Sequence, residues 1–90
     1  MKYYVYLILS KKYNKYTSYV GYTNNIEKRL YLHNNSKGAK FTRGKSWQLA
    51  YKKQYKNKVL AMKEEYKLKN NIKLTAKIKK YFIQSNQWKL

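Results

Sequence analysis

Acids are the scarcest residues of this chain, and one of them has a position that suits chemistry. Asp and Glu together number three, against 22 Lys and Arg. In a helix, Ala61, Glu65 and Leu68 follow at the spacing i, i+4 and i+7, so they share a face that Ile72 continues. A carboxylate on an apolar face is costly to bury unless it pairs with a cation or holds a metal. Spacing alone favours neither partner for Glu65, a neighbouring Lys or a metal ion.

Arg29 and His33 form a second candidate pair, four residues apart on an expected helix. Arg29 is one of only two Arg in the chain, and its planar fork matches phosphate oxygens in a way that Lys cannot. His33 is the only His, and an imidazole with an ordinary pKa near ~6.5 accepts a proton at neutral pH. The commoner role of a lone His is packing or capping at a helix end. The neighbouring Arg is what makes this pair a candidate for phosphate chemistry.

Two tyrosines, Tyr6 and Tyr19, lie on strands that are expected to pair and can face the same side. Most of the 12 Tyr in the chain must be packing or surface residues. A phenol has an ordinary pKa near ~10, so it acts as a base only if that pKa is lowered. A metal ion or a dense field of Lys would lower it. Gly21, close to Tyr19, interrupts its strand and predicts the close approach of another group.

Two basic segments are candidates for contact with a phosphate backbone. The segment from Lys37 to Lys45 combines glycine, cations and one aromatic, and its candidate binding residues are Lys37, Lys40, Phe41, Arg43 and Lys45. The alternative is a solvated basic loop. A later helix places Lys73, Lys77 and Lys80 on one side, which supports backbone contact without sequence readout.

The formal net charge of +19 on 90 residues points to a polyanionic partner. Such an excess strains the compact state by self-repulsion, which a partner relieves. DNA or RNA is the usual partner, because each neutralised phosphate releases a counterion. AT-rich coding is an alternative source of so many Lys, but it does not explain the shortage of acids.

Composition also excludes several classes of protein. Without Cys there is no disulfide partner and no Cys-based zinc site. A single His excludes a His-cluster metal site, so a metal must be held largely by oxygen, and the side chains that offer a carboxylate are Glu27, Glu64 and Glu65. No stretch approaches the ~18 apolar residues of a membrane span. The first residues lack the apolar core of a signal peptide. We therefore expect an intracellular protein, cytoplasmic or associated with the nucleoid, with no membrane partner.

The elements that must position these residues form one domain over residues 1–90. Strands are expected at Tyr3 to Leu9, Ser18 to Tyr22 and Trp47 to Tyr55, with a polar connection from Ser10 to Thr17. The first helix is expected from a cap at Asn24 to about Asn34, and the second from a cap at Asn57 to Asn70. The third is expected to begin at Leu74, with Thr75 near its start, and to end between Phe82 and Gln84. Ser85 to Leu90 is expected to be a terminal extension in which Trp88 is a candidate for packing. The order β-β-α-β-α-α predicts an α+β fold, a small three-stranded antiparallel sheet flanked by helices that cover one face.

Two tripeptides on the paired strands resemble the pair that gives the GIY-YIG nucleases their name. They are Tyr4-Val5-Tyr6 and Tyr19-Val20-Gly21. The order of Arg29, His33 and Glu65 is also similar to that family. The loop from His33 to Gly44, followed by Trp47 to Tyr51, resembles the small stand-alone bacterial branch related to the UvrC nuclease domain. The resemblance covers about Lys2 to Leu68, most of the motif-bearing region 2–70. Tyr4 replaces the Gly of the name, and Val replaces Ile in both tripeptides, which keeps a β-branched core residue.

This resemblance implies a DNA endonuclease that hydrolyses phosphodiester bonds with one divalent ion, Mg²⁺ or Mn²⁺. It implies that Glu65 holds the metal, that Arg29 clamps the scissile phosphate, and that Tyr6 or Tyr19 deprotonates the attacking water with His33 nearby. The products expected from the family are a 5′-phosphate and a 3′-hydroxyl. DNA repair or recombination is the expected setting, with branched, nicked and single-stranded DNA open as substrates. The oligomeric state is open.

Two other functions suit the same composition. One is a catalytically silent basic module that binds nucleic acid, and the other is a small structural RNA-binding protein. The structural RNA-binding protein gives Glu65 no reason to stand on an apolar helix face.

Overall fold

A three-stranded antiparallel sheet and three helices make up residues 2–85, the part of the chain that the computed structural model describes. The strands are β1 (Tyr3–Lys12), β2 (Lys15–Thr23) and β3 (Gln48–Tyr55), and the helices are α1 (Ile26–Asn34), α2 (Lys58–Asn70) and α3 (Ile72–Gln84). A single 3-10 turn, Lys40–Thr42, lies in the loop between α1 and β3. The predicted α+β class and element order are confirmed, while Trp88 lies outside the described residues. None of the helices within 2–85 has the length and apolar character to cross a bilayer.

β1 is the central strand, between β2 and β3. Its residues from Val5 to Ser10 are all buried, as the continuous apolar run predicts. The hairpin between β1 and β2 is longer than expected, because the polar segment is itself paired strand around a two-residue turn. Tyr13 supplies a positive φ of 59° in this turn. Polarity is a poor guide here, since an exposed hairpin end pairs through its backbone rather than through a core.

Helices cover both faces of the sheet, so the expectation of a single covered face is wrong. On one face, α2 and α3 pack over a cluster that contains Val5, Leu7, Leu9, Val20, Ala61 and Leu68. On the other, α1 packs through Ile26 and Leu30 over Tyr6, Ile8 and Trp47. Successive side chains of a strand point to opposite faces, and both sets in β1 are apolar, so each face needs its own cover.

An Asn side chain caps the start of each helix. Asn25, Asn57 and Asn71 each accept a hydrogen bond of 2.9–3.0 Å from the backbone N–H three residues on. The predicted cap at Asn57 is confirmed. The cap of α1 is Asn25 and not the predicted Asn24. α3 begins at Ile72 after a cap at Asn71, two residues before its predicted start at Leu74, and Thr75 lies in its first turn.

Candidate active site

An open cleft of about 400 Å³ lies at the β2 edge of the sheet. Its walls carry several phenols, a guanidinium, a carboxylate and an ammonium group, from Tyr3, Tyr6, Tyr19, Gly21, Tyr22, Thr23, Asn24, Arg29, Lys58 and Glu65. Because β2 is an edge strand, α1 on one face and α2 on the other can both reach this rim. Four of the residues predicted to carry chemistry therefore line one cleft, namely Tyr6, Tyr19, Arg29 and Glu65. His33 lies behind Tyr6.

Gly21 lets the Tyr6 ring lie across β2. The two residues are register partners in the hairpin. A Cβ added to Gly21 would fall 2.5 Å from the Tyr6 hydroxyl oxygen and 2.7 Å from its ring carbon Cζ. Any side chain at position 21 would therefore displace the phenol. The close approach that the glycine predicts is real, and the approaching group is the side chain of Tyr6.

His33 is fully buried, and both of its ring nitrogens have partners. Nε2 is 2.8 Å from the Tyr6 hydroxyl oxygen, and Nδ1 is 2.8 Å from the hydroxyl oxygen of Thr42. Burial, reinforced by the charge of Arg29, lowers the pKa of His33 from 6.5 to about 4. The imidazole is therefore neutral at pH 7, and its nitrogens are available as one donor and one acceptor.

The phenol of Tyr6 is held in its neutral form. Burial raises the pKa of Tyr6 from 10.0 to about 12, the Arg29 guanidinium opposes this rise, and the charges of Tyr19 and Glu65 add to it. The cation that acts to lower this pKa is Arg29, and desolvation outweighs it. Neutralising Glu65 would remove one contribution that raises the pKa of Tyr6.

Tyr19 stands on the cleft side of the same cluster and contacts aromatic rings on two sides. Its ring centroid is 5.2 Å from that of His33 and 6.1 Å from that of Phe41, with which it stacks at 23°. The two tyrosines thus differ in surroundings: the hydroxyl of Tyr6 bonds to the imidazole, whereas the ring of Tyr19 packs against it.

Arg29 faces the cleft from the first turns of α1. The cap at Asn25 starts the helix, and the Arg29 backbone N–H donates to the Asn25 carbonyl at 3.0 Å. Residues four apart on a helix can point to one spot, but Arg29 and His33 do not. Arg29 lines the cleft, while His33 lies in the interior, and both act on Tyr6.

Glu65 both lines the cleft and pairs with a lysine. Its neighbours on the helix face, Ala61 and Leu68, are buried as predicted, while Ile72 belongs to α3 and is exposed, so the face ends with α2. The Glu65 side chain is 16% exposed, and its Oε2 lies 3.2 Å from Nζ of Lys69. The ion pair and the place in the cleft are both present, so a lysine partner and a metal-binding role do not exclude each other.

Glu64, the adjacent carboxylate, belongs to different surroundings. Its side chain is 33% exposed and pairs with Lys67 at 3.2 Å. It lines a separate cavity between the sheet and the helices, beside Tyr55. The two glutamates therefore differ in place although they are neighbours in sequence.

Glu65 is the one carboxylate in the cleft, and within residues 2–85 no group of three or more His, Cys, Asp or Glu comes together. A cation there would take one protein carboxylate and fill its other positions with water or phosphate oxygens. Mg²⁺ accepts such a site, because it keeps several waters and commonly takes one or two carboxylates beside substrate phosphates. The residues fit a single hard cation of that kind.

The predicted nucleic-acid-binding residues fall in two separate places. The loop after α1 exposes Lys37, Lys40 and Arg43, and half-buries Lys45. Phe41 is 53% exposed and joins this loop to the cleft through its stacking with Tyr19. The ammonium of Lys45 lies 5.4 Å from the Phe41 ring centroid.

The second set, Lys73 and Lys77, is exposed on α3. That helix packs on the sheet face opposite to α1 and contacts β3, the strand farthest from the cleft. These two lysines do not line the cleft.

Three residues that sequence reasoning missed hold the loop against the site. Thr42 is fully buried and bonds to His33. Asn34 accepts from the backbone N–H of Trp47 and donates to its carbonyl, which fixes the end of the loop to the end of α1. Gly38 lies so close to the imidazole that an added Cβ would fall 2.5 Å from His33 Nδ1. Thr42 is the only hydroxyl residue between Lys37 and Lys45, and this is the signal by which the sequence could have indicated it.

The chain is similar in sequence to a known domain family and to several bacterial proteins. Residues 2–81 match the GIY-YIG catalytic domain. The UPF0213 protein OB0043 of Oceanobacillus iheyensis is 45% identical over 69 residues, which are 76% of this chain and 77% of that protein. The UPF0213 protein CPE1444 of Clostridium perfringens is 42% identical over 87 residues, which are 96% and 87% of the two chains. The solution NMR structure of the UPF0213 protein BH0048 from Bacillus halodurans is 30% identical, covers 100% of both chains and gives a TM-score of 0.48.

Proposed function

This chain belongs to the GIY-YIG catalytic domain family, and we propose that it is a DNA endonuclease assisted by one divalent cation. The observation that carries the proposal is the cleft itself. It brings together Tyr6, Tyr19, Arg29 and Glu65 from four different elements of the fold. A purely structural role would not require those side chains to converge beside an open space.

Arg29 is the group that binds the scissile phosphate. Its guanidinium offers several N–H donors in one plane, which suits two phosphate oxygens at once. Charge develops on the phosphoryl oxygens in the transition state, and a fixed cation in a partly dry cleft stabilises that charge more than water does.

Tyr6 is the better of the two tyrosines for taking the proton of the attacking water, because the hydroxyl already has a partner for its own proton. The water oxygen bonds to phosphorus while the bond from phosphorus to the 3′ oxygen breaks. The water's proton passes to Tyr6 Oη, and the phenolic proton passes to His33 Nε2 over 2.8 Å. His33 then releases its proton back toward solvent and the 3′ oxygen takes one up. The net reaction is hydrolysis to a 5′-phosphate and a 3′-hydroxyl.

Glu65 is the residue that would hold Mg²⁺ or Mn²⁺. A cation at this carboxylate supplies Lewis-acid stabilisation of the charge on the phosphoryl and leaving oxygens. Glu65 also acts on the proton path without touching it, since its own negative charge raises the pKa of Tyr6. Compensating that charge lowers this pKa, which favours the transfer of the phenolic proton to His33.

DNA would be held mainly through its backbone. The exposed cations of the loop lie next to Phe41, which reaches the cleft through Tyr19. Contacts of this kind position a duplex or a strand without reading its bases. We therefore propose low sequence specificity and a role inside the cell in DNA repair or recombination, on branched, nicked or single-stranded DNA.

The decisive experiment compares two neighbouring glutamates. Purified protein is incubated with supercoiled plasmid and with nicked, branched and single-stranded oligonucleotides, in Mg²⁺ and in Mn²⁺. Glu65→Gln should lower the cleavage rate on the order of a hundredfold. Glu64→Gln, next to it but in a different cavity, should cleave like the unmodified protein. Cleavage that persists in Glu65→Gln, or no cleavage of any substrate by the unmodified protein, refutes the proposal.

A nucleic-acid-binding module without turnover is the alternative that one observation favours. The Lys69 ammonium already compensates Glu65 at 3.2 Å, so the carboxylate does not require a metal for its charge balance. This alternative predicts binding that weakens steeply with salt and is the same in Glu65→Gln. The same cleavage panel, followed by binding measurements at several salt concentrations, separates the two functions.

A further inference from the structure

A chain of three hydrogen bonds leads from the loop after α1 to the cleft. The Thr42 hydroxyl oxygen lies 2.8 Å from the Ala39 carbonyl oxygen. It also lies 2.8 Å from Nδ1 of His33, and Nε2 of the same imidazole lies 2.8 Å from the Tyr6 hydroxyl oxygen. Thr42 and His33 are fully buried, so water does not compete for the two bonds of the imidazole.

The direction of each bond follows from the number of protons. A carbonyl oxygen only accepts, so the one hydroxyl proton of Thr42 is used on Ala39. The Thr42 oxygen must then accept from His33, which places the imidazole proton on Nδ1. Nε2 is left as an acceptor, and the Tyr6 hydroxyl donates to it. Every member of the network is satisfied in this arrangement.

The opposite tautomer leaves a defect. If Nε2 carried the proton, Nδ1 would have to accept from Thr42, and the Thr42 and Ala39 oxygens would face each other at 2.8 Å with no proton between them. The Ala39 carbonyl would keep the backbone N–H of Thr42 as a donor, but two acceptor oxygens held this close repel each other, and the lost hydroxyl bond costs free energy. The imidazole would also be unable to accept the phenolic proton of Tyr6.

The backbone of Thr42 is held in place independently of this network. Its carbonyl accepts a hydrogen bond from the indole N–H of Trp47 at 2.9 Å, and its N–H donates to Ala39 at 3.0 Å. Gly38 gives the loop room to close over the imidazole. The hydroxyl is therefore presented to His33 by a fixed turn, which is the arrangement that can select one tautomer.

We propose that Thr42 is a positioning residue that fixes His33 as its Nδ1–H tautomer and thereby keeps Nε2 open to the proton of Tyr6. The part of this inference that concerns cleavage rests on the proposed function. The part that concerns the tautomer does not. Thr42 touches neither the cleft nor the substrate, so it acts only through His33 and Tyr6.

Two substitutions separate the hydroxyl from the shape of the side chain. Thr42→Ser keeps the hydroxyl and removes a methyl group, while Thr42→Val keeps the shape and removes the hydroxyl. Because His33 is the only His in the chain, the ¹⁵N chemical shifts of its ring report the tautomer without ambiguity. The unmodified protein and Thr42→Ser should show a protonated Nδ1 and an unprotonated Nε2. Thr42→Val should show loss of that single form.

Cleavage kinetics test the consequence. Thr42→Val should lower kcat on the order of a hundredfold, the contribution of a positioned proton acceptor, with little change in the KM for DNA. Thr42→Ser should stay within about threefold of the unmodified protein if the hydroxyl is what matters. A melting curve shows whether each variant is folded, and the tautomer of the unmodified protein tests the inference even if Thr42→Val does not fold.

Three results overturn the inference. An unmodified protein whose Nε2 carries the proton contradicts it directly. So does a folded Thr42→Val that keeps the Nδ1–H tautomer. If Thr42→Val changes tautomer but cleaves at the normal rate, the tautomer has no role in cleavage. A protein that cleaves nothing refutes the proposed function and with it that role, while the NMR measurement still decides whether Thr42 sets the tautomer.

Discussion

Acidification from pH 7 to pH 4 is expected to weaken this fold chiefly through one side chain, His33. Burial, with a smaller contribution from Arg29, lowers the pKa of His33 in the folded protein to about 4. In the unfolded chain the same imidazole has its ordinary pKa of ~6.5. Between these values the unfolded state binds a proton that the folded state does not, so the free energy of unfolding falls as the pH falls. Above both pKa values the imidazole is neutral in both states and adds no pH dependence.

The size of the effect follows from the two pKa values. The drop from 6.5 to about 4 corresponds to roughly 3 kcal/mol of unfolding free energy at full effect, since one pKa unit is worth ~1.36 kcal/mol. About 2 kcal/mol of it is lost by pH 5. That is a large share of the ~5–15 kcal/mol that stabilises a typical domain. The chain has one His and three acids, so other groups interfere little.

Urea unfolding followed by fluorescence, at constant ionic strength and at several pH values from 7.5 to 4.5, measures this loss. A ¹H–¹⁵N titration of the folded protein gives the pKa of His33 directly. His33→Gln is the control, and its stability should be nearly independent of pH between 7 and 5.5, because no imidazole remains. A folded His33 that titrates near pH 6.5, or equal unfolding free energies at pH 7 and pH 5, would refute the reasoning.

Three further substitutions have defined outcomes. Gly21→Ala should lower the cleavage rate about a hundredfold, because a catalytic group displaced by about 1 Å reduces the rate by roughly that factor. The added Cβ would fall 2.5 Å from the Tyr6 hydroxyl oxygen across the hairpin. Unchanged cleavage kinetics would contradict this. Asn57→Ala should lose ~1 kcal/mol in urea unfolding as a cap is removed, and Asn57→Ser should restore most of it. Lys69→Met should lower the Mg²⁺ concentration for half-maximal cleavage by roughly two- to fivefold, because the free energy of a surface ion pair, here with Glu65, is of that size. Lys67→Met is the control and should leave this concentration unchanged. Equal effects of the two substitutions would mean that only the net charge matters.

The catalytic candidates were accessible from the sequence because each stands out by type. Glu65 is a rare acid and Arg29 a rare Arg in a chain of lysines, and both line the cleft. Their roles stay predictions until cleavage is measured. Thr42 is the one hydroxyl residue between Lys37 and Lys45, but residue type alone does not show whether such a hydroxyl is solvated or buried. Its burial against His33 depends on a turn that closes back onto the helix through Asn34 and Trp47, a long-range contact that no local pattern records.

The order of strands and helices was predictable from the sequence, but the sheet face that each helix covers was not. Successive side chains of β1 are apolar and point to opposite faces, so both faces need a cover. This pattern does not show which helix covers which face. That choice depends on how far α1 can travel from the end of β2, with Asn25 starting the helix only two residues after Thr23. So short a connection keeps α1 on the face of Tyr6, while α2 returns after β3 to the face of Val5. The cleft exists because the helices take opposite faces at the same edge strand.

The large positive charge of this protein and its proposed proton transfer depend on different residues. A metal ion or a dense field of Lys was the expected means of lowering the pKa of a catalytic phenol. Burial instead raises the pKa of Tyr6 to about 12, and the cation that opposes this rise is Arg29. The proposed proton path instead leads from the cleft into the fold, through the side chains of Tyr6 and His33, which are buried and neutral. In the proposed mechanism such a relay needs no ionised side chain at rest, so its rate would depend on the tautomer of one imidazole and on compensation of one carboxylate, Glu65. The lysines would serve to hold the phosphate backbone, and replacing surface lysines should weaken DNA binding and its salt dependence without shifting the pH dependence of kcat.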